Sequence, residues 1–154
     1  MGQPCRSTDR KVIPSNLQEQ LEMLDMFPDR ADRIQTLIAI SDQYRPILES
    51  EISKPYPEDR RVPGCETEVF IFDAPAGHPW PCLVAVQNPQ GISAMALAVM
   101  LSKGMKGASV SELQAMNGEL VYQIFGKELS MGKSMGLTNT LEMMKRAAIK
   151  KISG

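Results

Sequence analysis

The chain has 154 residues, enough for one domain with a substantial core. Its formal net charge of −1 creates no general field for nucleic acid or an anionic membrane surface, and no apolar run approaches the ~18 residues of a membrane helix. Three cysteines, an odd number, do not make a closed disulfide framework. With no export signal opening the chain, free thiols in a reducing cytoplasm are expected.

Residues 1–13 are polar and aperiodic and read as a flexible arm that carries Cys5. Residues 14–154 read as a single domain. Ser15 or Asn16 offers helix-start chemistry, and Leu17, Leu21, Met23 and Leu24 lie close to one stripe, predicting a helix over 16–27 that Pro28 ends. Asp29 is placed to cap a second helix, about 30–44, with Ile34, Leu37, Ile38, Ile40 and Tyr44 on its apolar face. Pro46, Pro55, Pro57 and Pro63 forbid regular helix through the next stretch, so 49–61 reads as a surface loop.

That loop leads into Arg60-Arg61-Val62-Pro63-Gly64-Cys65-Glu66-Thr67-Glu68-Val69-Phe70-Ile71-Phe72. Pro fixes φ and Gly permits positive φ, so the backbone bends sharply just before Cys65. The Val/Phe/Ile/Phe run then predicts a strand over 67–73. A proline-rich connection containing His78 joins it to a second, antiparallel strand at 82–86. Ile92–Lys103 is apolar nearly all round, which marks a buried helix. Ser109 to Glu112 has the form of a capping box opening a helix over 110–116. Short and long helices follow over 120–125 and 134–152, the last with Leu137, Leu141, Met144, Ala148 and Ile152 inward. The order α-α-loop-β-β-α-α-α-α lacks βα alternation, so the expected class is α+β, a small antiparallel sheet packed against several helices. Eleven methionines serve either as adaptable core filler or as a pliable docking surface.

Cys65 has two readings: a small apolar residue opening a strand, or a reactive thiol. Its place after Pro-Gly at the end of a long loop favours reactivity. Arg60 and Arg61 would raise the thiolate population, with Glu66 and Glu68 opposing them. His78, the single histidine, has the chemistry of a general base for a thiol enzyme, but nothing in its spacing sets it against Cys65. Cys82 faces inward on simple alternation and reads as structural. Cys5, Cys65, His78 and Cys82 contain the ligand types of a zinc site, yet their spacings match no zinc signature. No phosphate-binding glycine loop and no serine nucleophile elbow are present.

Pro63-Gly64-Cys65-Glu66-Thr67-Glu68-Val69-Phe70 resembles the Gly-Cys-x-(Ser/Thr)-x-Val-aromatic signature of the SufE family of cysteine desulfuration proteins, and the likeness extends from about Pro14 to Ile152. Leu129-Ser130-Met131-Gly132-Lys133-Ser134-Met135-Gly136-Leu137 sits where that family has Leu-x-Pro-Ser-Arg-x-x-Gly-Leu, with Lys133 near the arginine position. The resemblance implies a SufE/NifU-like fold with the active cysteine at a loop tip. It further implies that Cys65 carries a persulfide, with Arg60, Arg61, Gly64, Glu66 and Lys133 supporting the loop or contacting a partner. The implied donor is a SufS-like cysteine desulfurase, which holds the pyridoxal phosphate (PLP); no cofactor or metal is expected on this chain. The implied recipient is an iron–sulfur scaffold protein. Nucleic acid and membrane are not expected partners, and the setting would be cytoplasm, or plastid stroma in a photosynthetic eukaryote. The alternative is a cluster-assembly scaffold or partner-binding module in which Cys65 is structural.

Overall fold

The structure, a computed structural model, describes residues 12–88, 90–127 and 129–153. The proposed arm therefore lies almost wholly outside the described residues, and Cys5 with it. Among the described residues, six α-helices accompany a two-stranded antiparallel sheet, which is the α+β class expected. They are α1 (Ser15–Asp25), α2 (Arg30–Ser41), α3 (Ile92–Gly104), α4 (Val110–Gln114), α5 (Glu119–Phe125) and α6 (Met131–Ser153). The strands are β1 (Val69–Asp73) and β2 (Cys82–Val86).

The apolar helix α3 is the hub, with α1, α2 and α6 all packed on it. Its Leu97, Met100 and Leu101 are fully buried, as are Leu17 and Leu24 of α1 and Leu141 and Met144 of α6. A helix buried on all sides needs no polar stripe, which is why its sequence shows none. The inner face is narrower than periodicity predicts for α1, α2 and α6: Met23, Ile34 and Ile152 are exposed, and only Leu17, Leu21, Leu24, Leu37 and Ile40 seal the first two helices.

The sheet pairs Val69 with Val86 and Asp73 with Cys82 at its two ends. Alternation along the strands splits their side chains between two layers. Val69, Ile71, Cys82 and Val84 join the main core, while Phe70, Phe72, Leu83 and Ala85 form a second cluster on the opposite face. That second face is covered by Ile47, Ile52 and Tyr56, whose ring lies 5.2 Å from both Phe70 and Phe72. The stretch expected to be a plain surface loop is thus a covering layer, and it includes a 3₁₀ turn at Glu58–Arg60. Proline bars it from helix without barring it from burying apolar side chains.

Four boundaries move for identifiable reasons. α1 starts at Ser15, behind Pro14 and with no side-chain cap, and the Asn16 side chain is used elsewhere, donating its amide to the Lys106 carbonyl. α2 stops at Ser41, short of Tyr44: Gln43 and Tyr44 make tightened i→i−3 bonds, and the Tyr44 hydroxyl leaves for the sheet. There it donates to Val84 O and accepts from Val86 N. β1 begins at Val69 because the preceding residues belong to a tight turn. α6 begins three residues early, at Met131, because Ser130 Oγ accepts from the Lys133 amide and supplies the cap. The expected caps at Asp29 and at Ser109 with Glu112 are both made.

Candidate functional site

Val62 N donates to Val69 O at 2.8 Å, and Arg61 forms a bridge with Phe70. These contacts close a small hairpin whose six-residue tip, 63–68, carries Cys65. Gly64 sits at φ +73°, where a side chain would be strained. The tip is seated on the N-terminal half of α6. Asn139 Nδ2 donates to Pro63 O at 2.8 Å. A Cβ at Gly136 would lie 2.9 Å from Cys65 Cα and 3.0 Å from Gly64 O, so only glycine lets the helix and the turn approach this closely. Met135 Sδ lies 3.3 Å from where a Cβ on Gly64 would be.

Cys65 is half-buried, packed on one side against the main core. On the other side it opens onto a cavity of about 300 Å³. Glu66, Thr67, Ser93, Lys133 and Leu137 share that lining. Burial pushes the Cys65 thiol above its ordinary value. The Thr67 amide, hydrogen-bonded to the sulfur, works against this; Glu66 adds to the rise and Arg61 offsets a little of it. At rest, then, the thiol is protonated near neutral pH.

This has a direct chemical signature. Alkylation by iodoacetamide needs the thiolate. Its rate at Cys65 is expected to climb with pH through a midpoint above that of the unfolded chain, because the raised value leaves less thiolate at any lower pH. Glu66→Gln, which removes a negative neighbour, moves the midpoint down. A midpoint below that of the unfolded chain would contradict the resting geometry.

The residues named from sequence do not all converge. Glu66 and Lys133 line the cavity with Cys65, and Gly64 shapes its turn. Arg61 is held by Glu58 at 3.4 Å and Glu68 at 3.7 Å. Arg60 faces away, 3.6 Å from Asp73 at the far end of β1. Gly136 and Asn139 were missed as positioning residues. The sole hint was Gly136-Leu137, which says nothing of what the glycine touches.

His78 is placed elsewhere. Its Nδ1 accepts from Trp80 N at 3.0 Å and its Nε2 lies 3.5 Å from Glu51, so it pins the covering layer to the β1–β2 connection. Cys82 is buried in the core, as alternation predicts, and burial pushes its thiol up to about 12. Among the described residues no three His, Cys, Asp or Glu side chains gather as metal ligands, so Cys65, His78 and Cys82 make no zinc set. No helix among them is long and apolar enough to cross a membrane.

The chain is similar in fold to a hypothetical protein of Thermus thermophilus known from a solution structure. The two share 20% identity over 93% of this chain and 100% of that one, with a TM-score of 0.64. No curated protein matches the sequence significantly. The family model for SufE, described as an Fe-S metabolism associated domain, matches residues 18–148, from α1 to the last turns of α6 and across the whole Cys65 site. This chain therefore belongs to the SufE family, whose domain is associated with iron–sulfur metabolism.

Proposed function

We propose that the protein is a sulfur relay, in which Cys65 takes sulfane sulfur from the persulfide of a PLP-dependent cysteine desulfurase and passes it to an iron–sulfur scaffold. The observation that carries this reading is the seating of Cys65. Its thiol stands on a hairpin tip beside an open cavity, and the tip is held to α6 by one side-chain hydrogen bond and by contact. A thiol so placed is shielded at rest and has a short path to solvent.

The exchange needs no external oxidant. The Cys65 thiolate attacks the outer sulfur of the donor persulfide, and a new sulfur–sulfur bond forms on Cys65. The donor's own sulfur–sulfur bond breaks, and its electron pair leaves with the donor cysteine as a thiolate. That thiolate takes up the proton Cys65 gave up. Rate in such exchange follows thiolate fraction and access. Burial is the main cause that keeps Cys65 protonated, so lifting the tip toward a partner lowers its pKa and exposes the sulfur in the same movement. Lys133 on the cavity wall supplies positive charge toward the anionic persulfide that results. After transfer, the apolar side of the site shelters the persulfide from water and stray thiols.

Mass spectrometry tests the reading. Incubation with cysteine desulfurase and cysteine is expected to add the mass of one sulfur atom, mapping to Cys65, and to raise desulfurase turnover. Turnover without any added sulfur on Cys65 would exclude the relay.

A further inference from the structure

Charge on this molecule is segregated in a way the relay does not require. α6 carries Lys133, Lys145, Arg146, Lys150 and Lys151 against a single carboxylate, Glu142, in a chain whose overall charge is −1. The helix is thus net +4 and the remainder net −5. Two of these cations are bonded to backbone carbonyls. Lys145 donates to the Gln114 and Met116 carbonyls, and Lys151 donates to those of His78 and Trp80. Lys133, Arg146 and Lys150 face outward. Lys133 lies at the Cys65 cavity; the other two lie further along the same helix.

Arg146 and Lys150 line a second groove, of about 290 Å³, between α6 and the Glu58–Arg60 turn. Arg60 forms part of its other wall, with Ile71 and Met143 also in the lining. Asp73 ties the walls together, 2.9 Å from Lys150 Nζ and 3.6 Å from Arg60. Two cations therefore share one carboxylate. Arg146 is exposed and forms no ion pair with another described residue. Asp59 is the second carboxylate of the lining, leaving three cations against two. A groove with a mixed lining, Ile71, Met143 and Ala147 among five charged side chains, and a net excess of one positive charge matches a chain bearing carboxylates. Ten to fourteen residues separate Gly136, under Cys65, from Arg146 and Lys150. That is about 15–21 Å of helix.

We propose that this groove is a docking site for an acidic segment of the desulfurase that loads Cys65, so that α6 holds the partner at one end while the thiol works at the other. The naming of the partner rests on the relay reading; the groove's preference for an acidic chain does not.

The experiment uses the full-length protein, ¹⁵N-labelled, titrated with a ten-residue peptide of alternating Glu and Leu, with the Gln-for-Glu peptide as control. The acidic peptide is expected to shift amides around Arg60, Ile71, Arg146 and Lys150, and the control is expected to leave them in place. Arg146→Glu with Lys150→Gln is expected to weaken binding about tenfold at about 0.1 M salt, with most of the difference lost near 1 M as screening shortens. Arg146→Glu alone, which breaks no internal ion pair, guards against a folding artefact and is expected to show part of the loss. Equal binding of the two peptides, unchanged affinity in the variants, or displacement of the peptide by a single-stranded oligonucleotide at lower concentration each overturns the proposal. In the desulfurase assay, the double variant is expected to need about tenfold more desulfurase for half-maximal loading of Cys65, with the maximal rate kept. If wild-type Cys65 accepts no sulfur at all, the relay fails, and the peptide titration still decides the groove.

Discussion

Cys65→Ser is expected to abolish sulfur loading and desulfurase stimulation while leaving the fold intact. A hydroxyl cannot form a sulfur–sulfur bond, so the loss is complete rather than partial. The site is half-buried and opens onto a cavity, so the change adds little strain or desolvation. Cys82→Ser is expected to do the reverse. Its side chain is 2% exposed within the core, and a buried hydroxyl without a designed partner costs about 1–3 kcal/mol. Stability falls and loading of Cys65 persists. Urea unfolding and sulfur-transfer mass spectrometry on the two variants give a crossed result if the cysteines have these separate roles. Loss of loading in both, with Cys65→Ser also unstable, would instead make Cys65 a structural residue.

The second large effect is expected from the glycines of α6. An alanine in a helix interior is worth about 1 kcal/mol over glycine. At Gly132, in the first turn of α6, a Cβ meets nothing within 4 Å, so Gly132→Ala is expected to be neutral or to stabilise the protein by a fraction of that amount. At Gly136 the same methyl lies 2.9 Å from Cys65 Cα, a backbone atom that cannot turn aside. Overpacking of this kind costs about 1–3 kcal/mol, and against a backbone atom the upper part of that range applies and outweighs the propensity gain. Gly136→Ala is therefore expected to destabilise by up to about 2 kcal/mol net. It also pushes the hairpin tip off the helix, so alkylation of Cys65 becomes several-fold faster as burial is relieved. Thermal unfolding and iodoacetamide rates measured together check both halves. A Gly136→Ala protein as stable as Gly132→Ala, with unchanged thiol reactivity, would mean that the tip is not seated on α6.

Local chemistry made much of this protein legible from its residues in order. Pro63-Gly64 before Cys65 declared a bend at a thiol, because those two residues restrict and free φ as no others do. The apolar strand runs, the all-round apolar run of α3 and the Ser109–Glu112 box are likewise statements about near neighbours, and each element is found, β1 two residues shorter at its start than expected. Contacts between residues distant in sequence were not legible. The sequence offered Arg60 and Arg61 as neighbours of Cys65, yet strand direction sends Arg60 to Asp73, and Arg61 is caught between two glutamates. Gly136 and Asn139, more than 70 positions from the turn they hold, carried no local mark of that duty. The prolines of the covering layer hid its role because they report backbone freedom and say nothing of where Ile47, Ile52 and Tyr56 find an apolar surface. Sequence alone determined which residues bend, pair or coil, since those preferences act over a few bonds. Tertiary structure alone decided how deeply the Cys65 thiol sits and which charges reach it, since burial and Coulomb forces act through space between segments that only packing brings together.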